Sequence, residues 1–228
     1  MTGKVAGFAS AAAGALLLAG CATAPFPAPA PFAASDVPQE AVPGRFAARL
    51  APRFEQVNAV VFRYWPHEIA ALGMVSVSPS ARSFTVTCLT PLGVKLFDAV
   101  CENGRVEGRF VHPEFARRGG NLAQAAGTDL SRAYFDWQPS AGAACAARKG
   151  RLVFTSRDAA GVTEYRYAGA DGRLAEKIRY EGGRALWTIE YRAFAQTAGG
   201  LVPTGLVIWN HQYGYRLVVS ARENEGNP

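Results

Sequence analysis

The sequence predicts a mainly β domain of the α+β class: one strongly curved antiparallel sheet of about ten or eleven strands, open or nearly closed, with short helices over its concave face. Three observations carry this. Runs of β-branched and aromatic residues recur with Pro, Gly or Ser between them. The pairs Asn103-Gly104, Asp171-Gly172 and Gly182-Gly183 mark tight hairpins. One interruption, from Pro113 to Trp137, replaces the strand pattern with short helical segments.

Along the chain, a short amphipathic helix is expected over Gly44 to Asn58, where Phe46, Leu50, Phe54 and Val57 share one face. Strands follow at Val60 to Trp65, Ala70 to Val77, Ser83 to Leu89 and Leu92 to Val100, and Asn103-Gly104 turns the chain back through Val106 and Phe110. Between Pro113 and Trp137 two short helices are expected, separated at Gly119-Gly120. The second starts behind a Thr128 cap and lays Leu130, Ala133, Tyr134 and Trp137 on a neighbouring sheet. A second meander occupies the C-terminal third: Leu152 to Thr155, Thr163 to Tyr167, Leu174 to Tyr180, Ala185 to Phe194, Val202 to Trp209 and Tyr213 to Ser220. Within it Trp187, Ile189 and Tyr191 alternate with Thr188, Glu190 and Arg192, the pattern of a sheet with one apolar face.

The first twenty residues carry one charge, Lys4, ahead of a small apolar run from Val5 to Ala19 that is too short and too interrupted by glycine to span a bilayer. Residues 1–20 read as a signal peptide. The run ends in Leu18-Ala19-Gly20-Cys21, which resembles the lipobox of bacterial lipoproteins and implies acylation of the Cys21 thiol. A single acyl chain binds membranes marginally, whereas two or more anchor stably. Ala22 stands where inner-membrane-retained lipoproteins of many enteric bacteria carry Asp, which implies the periplasmic face of the outer membrane. Residues 21–44 are dominated by Ala and Pro and cannot build a core. Extended polyproline geometry at roughly 3.1 Å per residue makes them a spacer reaching tens of ångströms. Residues 45–228 are then long enough for one domain and short for two.

The net charge of +6 falls to +5 once Lys4 leaves with the leader. This mild excess favours anionic headgroups or acidic partners weakly, and no clustered basic and aromatic surface of the nucleic-acid-binding kind is present. Besides Cys21 there are Cys88, Cys101 and Cys145, of which at most two can pair; Cys88 alternates with Phe84 and Val86 and so faces the interior. No metal-ligand spacing occurs and no cofactor motif. His67-Glu68-Ile69-Ala70-Ala71 begins like a zinc-protease helix but lacks the second histidine, and His112 and His211 stand alone. No Gly-x-Ser-x-Gly elbow, phosphate-binding glycine loop or spaced carboxylate pair appears. An enzyme is not expected.

From Arg82 to Phe110 the chain runs through a strand, the turn Thr90-Pro91-Leu92-Gly93, a strand and a hairpin. This segment resembles the outer-membrane lipoprotein receptor LolB and its less characterised relatives in the LolA/LolB superfamily, including those encoded in aryl-polyene clusters. The wider order of elements agrees over most of the mature domain. Tyr213-Gly214-Tyr215-Arg216-Leu217 looks more like the relatives than the receptor. The resemblance implies an incomplete antiparallel β-barrel whose helices form a lid over an apolar cavity for acyl chains. It also implies a protruding, membrane-inserting leucine, here Leu92 in the turn Pro91-Leu92-Gly93. The expected cavity lining is Phe62, Tyr64, Val75, Phe84, Val86, Phe97, Leu130, Tyr134, Trp137, Trp187, Ile189 and Ile208.

The function these readings imply is a monomeric lipoprotein that binds acyl chains of a lipid or lipoprotein, received from a periplasmic LolA-like carrier, and delivers them to the outer membrane. The alternative is a scaffold that shares the anchor and fold but binds a protein partner through sheet edges or exposed aromatics. The two part on one question, whether the sheet encloses room for hydrocarbon.

Overall fold

Twelve strands pair in one antiparallel sheet in the computed structural model, which describes residues 26–33, 38–64, 66–113, 116 and 122–222. The signal peptide, Cys21, Trp65, the Gly119-Gly120 break and most of the first helix expected after Pro113 lie outside those residues. In chain order the strands are β1 (Phe54–Tyr64), β2 (His67–Ser78), β3 (Ser83–Leu89), β4 (Lys95–Glu102) and β5 (Arg105–Val111). The others are β6 (Ala144–Arg148), β7 (Arg151–Asp158), β8 (Gly161–Ala168), β9 (Arg173–Glu181), β10 (Arg184–Thr197), β11 (Gly200–Asn210) and β12 (Tyr215–Ala221). Their spatial order is β5-β4-β3-β2-β1-β12-β11-β10-β9-β8-β7-β6, so β5 and β6 are edges that never meet and the barrel is incomplete.

Two runs of hairpins are thus joined at the centre by β1 and β12, paired from Asn58 with Ala221 to Tyr64 with Tyr215. The hairpins follow the turn chemistry of the sequence. Asn103 and Gly104 adopt φ of 52° and 79°, and Gly182 and Gly183 φ of 54° and 78°, as a two-residue turn with two left-handed positions requires.

The structure corrects four expectations. The first helix does not run from Gly44 to Asn58. A short 3-10 turn (Gln39–Ala41) leads into α1 (Val42–Ala47), and Phe54 already opens β1. Pro52 explains the stop, since it lacks an N–H and its ring opposes a helical carbonyl four residues back. The chain straightens instead: Ala51 N–H donates to Leu201 O at 2.9 Å, and Leu201 N–H donates to Arg49 O at 2.7 Å. Second, Thr128 does not cap a helix. It lies inside α2 (Leu122–Tyr134), its hydroxyl donating to Gln124 O at 2.8 Å, because the alanine-rich stretch before it is already helical. Trp137 therefore falls beyond the helix, after Asp136 at φ 53°. Third, there are twelve strands, the addition being β6, whose Ala-Cys-Ala-Ala-Arg sequence has weak strand propensity and is drawn into place by pairing with β7. Fourth, residues 26–33 are not a free spacer. Phe32 N–H donates to Gly150 O at 2.7 Å, and Gly169 N–H donates to Ala30 O at 3.0 Å.

The concave face holds the core. Over β8 to β11 it is filled by aromatic rings, with Phe46 of α1 set edge-on against Trp137, Tyr167 and Phe194 at centroid distances of 6.1, 6.2 and 5.5 Å. The other half, over β1 to β4, is covered by α2. Gly127 makes this close approach feasible, because a Cβ there would lie 2.6 Å from Val106 Cγ1 of β5. Phe46 is buried, so Phe46→Ala is expected to destabilise the domain by about 3–5 kcal/mol in urea denaturation, with secondary structure retained below the transition.

Candidate functional site

Beneath α2 the sheet leaves a cleft. Its floor is Val60 and Phe62 of β1, Ile69, Ala71, Gly73 and Val75 of β2, Val86 and Cys88 of β3, Leu96 and Phe97 of β4, and Leu217 and Val219 of β12; its roof is Ala126, Leu130 and Tyr134 of α2. The one amide side chain is Asn58. Strand alternation explains this wall, since every second residue of β1, β2, β3 and β12 points to the same concave face. The cleft's volume is about 50 Å³. Sites for small molecules run to roughly 300–1,000 Å³, so the cleft as it stands is too small for an acyl chain. A larger hollow of about 760 Å³ lies on the convex face, with a mixed lining in which Phe26, Val57 and Met74 stand among Glu55, Gln56, Thr85, Thr87 and Arg222.

Six of the twelve expected lining residues meet around the cleft: Phe62, Val75, Val86, Phe97, Leu130 and Tyr134. Tyr64 flanks it against Phe62, with ring centroids 5.4 Å apart. Phe84 packs on Phe135 at 6.0 Å, Trp187 lies under Arg132, and Trp137, Ile189 and Ile208 belong to the filled core. The sequence reading omitted the small residues Ala71, Gly73 and Ala126. Alternation places Ala71 and Gly73 on the same face as Val75; at Gly73 the room is taken by Val60, whose Cγ2 would lie 3.0 Å from a Cβ there.

Among the described residues, a group of buried polar bonds holds the second half of α2. Asp129, fully buried, accepts hydrogen bonds from Tyr215 Oη and from Asn210 Nδ2, the latter at 2.9 Å, and pairs with Arg132 at 2.6 Å. Tyr191 Oη donates to Ala133 O at 2.7 Å. Lys177 reaches up from β9 and donates from Nζ to Arg132 O at 2.7 Å and Phe135 O at 2.9 Å, satisfying carbonyls that the helix end leaves open. Towards the start, Gln124 Nε2 donates to Val106 O at 3.1 Å. The far end is anchored through the protein's most buried polar groups.

At one end of the sheet, Pro91 pre-sets a turn in which Gly93 N–H donates to Thr90 O at 2.9 Å and Val94 N–H donates to Thr90 Oγ1 at 3.1 Å. Gly93 takes φ 83° and closes the turn. The turn leaves Leu92 93 % exposed, with Val94 and Phe110 also exposed nearby and Lys95 Nζ above the Phe110 ring. Cys88, Cys101 and Cys145 are free thiols, and burial pushes the Cys88 thiol up to about 12, so it packs as a small apolar group. His211 stacks on Trp209 and shares a 3.1 Å hydrogen bond with Thr188 Oγ1.

Burial, partly opposed by the charge of Asp136, pulls the Lys177 ammonium down to about 7. The unfolded chain keeps this proton up to about pH 10.5, so between pH 7 and 10 the unfolded state binds more protons and stability rises with pH. Lys177→Met should abolish this rise and, by stranding two carbonyls, cost about 1–3 kcal/mol. Urea titrations of both proteins between pH 7 and 10 check this; equal slopes would refute it.

No protein-family model matches the chain and no curated protein matches it. Solved structures do. A LolA superfamily protein from Nitrosomonas europaea aligns with a TM-score of 0.53 at 13% identity, covering 84% of this chain and 96% of that one. A putative outer membrane lipoprotein-sorting protein domain from Vibrio parahaemolyticus aligns at 0.53 and 10% identity, over 82% and 92%. A DUF1329 family protein from Desulfovibrio piger aligns at 0.50 and 8%, over 83% and 93%. The fold of the chain is therefore LolA/LolB-like, an open antiparallel sheet wrapped around short helices.

Proposed function

From this LolA/LolB-like fold we propose a non-enzymatic lipoprotein of the bacterial envelope, acylated on Cys21 at the periplasmic face of the outer membrane. It takes acyl chains of a lipid or lipoprotein beneath α2 and passes them to the membrane. The observation that carries the reading is the cleft, an apolar wall of sheet residues under α2. Acyl chains need no directional partner, only dry surface, and gain about 0.8 kcal/mol per buried methylene. Ten methylenes return about 8 kcal/mol, against about 0.5–1.5 kcal/mol for each hydrogen bond released when the helix lifts. A chain of that length offsets the release of several such bonds, and closure without one keeps the wall out of water. The neighbour described as a lipoprotein-sorting domain supports the same reading, with a LolA-like periplasmic carrier as the donor of cargo.

Leu92 fits the delivery step. Its insertion into a bilayer contributes about 1.5–3 kcal/mol, enough to orient a domain already tethered but too little to anchor one. Leu92→Glu should leave the unfolding free energy within about 0.5 kcal/mol, because the side chain touches little, while lowering vesicle binding and cargo release. Unchanged delivery by this variant would remove the role.

The direct test of the binding step is native mass spectrometry of the mature, detergent-free protein carrying Cys21→Ser, purified from the envelope. Co-purifying lipid at one molecule per chain is expected. Protein free of lipid, which also fails to take up added phospholipid, would leave the scaffold as the better description.

A further inference from the structure

Phe26, Pro29 and Phe32 are half-buried, whereas Pro27, Ala28, Ala30, Pro31 and Ala33 between and after them are exposed. A period of three is that of a polyproline helix with one edge against a surface. The surface is shaped for it. At Gly205, on the convex side of β11, a Cβ would lie 2.7–3.0 Å from the Phe26 ring; at Gly172 it would lie 3.6 Å from Phe32; at Gly150 it would lie 3.1 Å from Pro31. A glycine inside a strand marks close approach of something to the sheet, and here that is the chain's own N-terminal segment. Two turns of the sheet clamp its backbone. Gly150 O accepts from Phe32 N–H, and Ala30 O accepts from Gly169 N–H and, at 3.4 Å, from Arg151 Nη1, while Arg151 Nη2 reaches Pro29 O at 3.4 Å.

We propose that residues 26–32 are a strap that docks in this seat and sets how far the domain can stand from its anchor. Docked, the chain between Cys21 and Phe26 spans at most about 17 Å. Gly205 itself lies five residues, about 17 Å, from the end of β11 at Asn210, at the same end of the sheet as the Leu92 turn. Gly205 is the midpoint of β11, equally far from the other end at Gly200, so the anchored, docked domain is held close to the bilayer without a preferred end. Undocked, the segment from Cys21 to Pro38 reaches about 53 Å as a polyproline helix and lets the domain swing out. The seat is independent of the acylation of Cys21; the standing distance rests on it.

Hydrogen exchange on the full mature chain tests the seat. Phe32 and Gly169 amides are expected to be protected, and Gly205→Val, which fills the place of the Phe26 ring, should speed both by at least tenfold while the Phe135 amide, bonded to Ser131 O just after α2, stays slow. Phe26→Ser, outside the sheet, should do the same if the strand variant folds poorly. Free exchange at Phe32 in the parent, or no change in either variant, overturns the proposal. Neutron reflectometry of the acylated protein on supported bilayers tests the distance: Phe26→Ser should move the domain outward by tens of ångströms. Faster exchange without outward movement would refute the anchor and uphold the strap.

Discussion

A sheet whose two edge strands never pair must hide its apolar concave face with other parts of the chain, and the rest of this molecule is organised by that requirement. The two halves meet it differently. Over β8 to β11 the covering is aromatic and interlocked, with Phe46, Trp137, Tyr167, Tyr191 and Phe194 in mutual ring contact. Over β1 to β4 it is a single alanine-rich helix lying on aliphatic side chains. Rings that interlock leave no gap and resist sliding. A smooth helix on aliphatic side chains leaves a small gap.

The polar groups follow the same division. Asp129, Asn210, Tyr215 and Lys177 are buried where α2 ends and the filled core begins, and each is satisfied by a partner across that boundary. Directional bonds between buried polar groups fix a position more firmly than apolar contact, which is indifferent to small displacements. These bonds fix the second half of α2 against the filled core.

Most of the sheet was legible in the sequence because alternation and hairpin dipeptides are local signals. The turns at Asn103-Gly104 and Gly182-Gly183 are as the residues demand, and Cys88 faces inward as its spacing from Phe84 and Val86 requires. What was not legible depends on contacts distant in sequence. Phe46, Leu50 and Phe54 have helical spacing, yet pairing with β2 and the bridge to Leu201 pull Phe54 into a strand. β6 exists only because β7 offers it an edge. The proline-rich segment reads as a spacer because its seat is made of glycines scattered from 150 to 205. In the site, large side chains were easy to nominate, but the small residues Ala71, Gly73 and Ala126 also line the cleft, and their place there becomes visible only once the strands and helix are assembled.

The central claim is that hydrocarbon enters between α2 and the sheet. Photolabelling the mature protein with a diazirine-bearing palmitate and mapping the adducts tests it most directly. Adducts on Val60, Val86, Phe97 and Leu130, suppressed by unlabelled lipid, are the predicted result. Adducts confined to the convex face or the exposed turns, with the cleft unmarked, would contradict it.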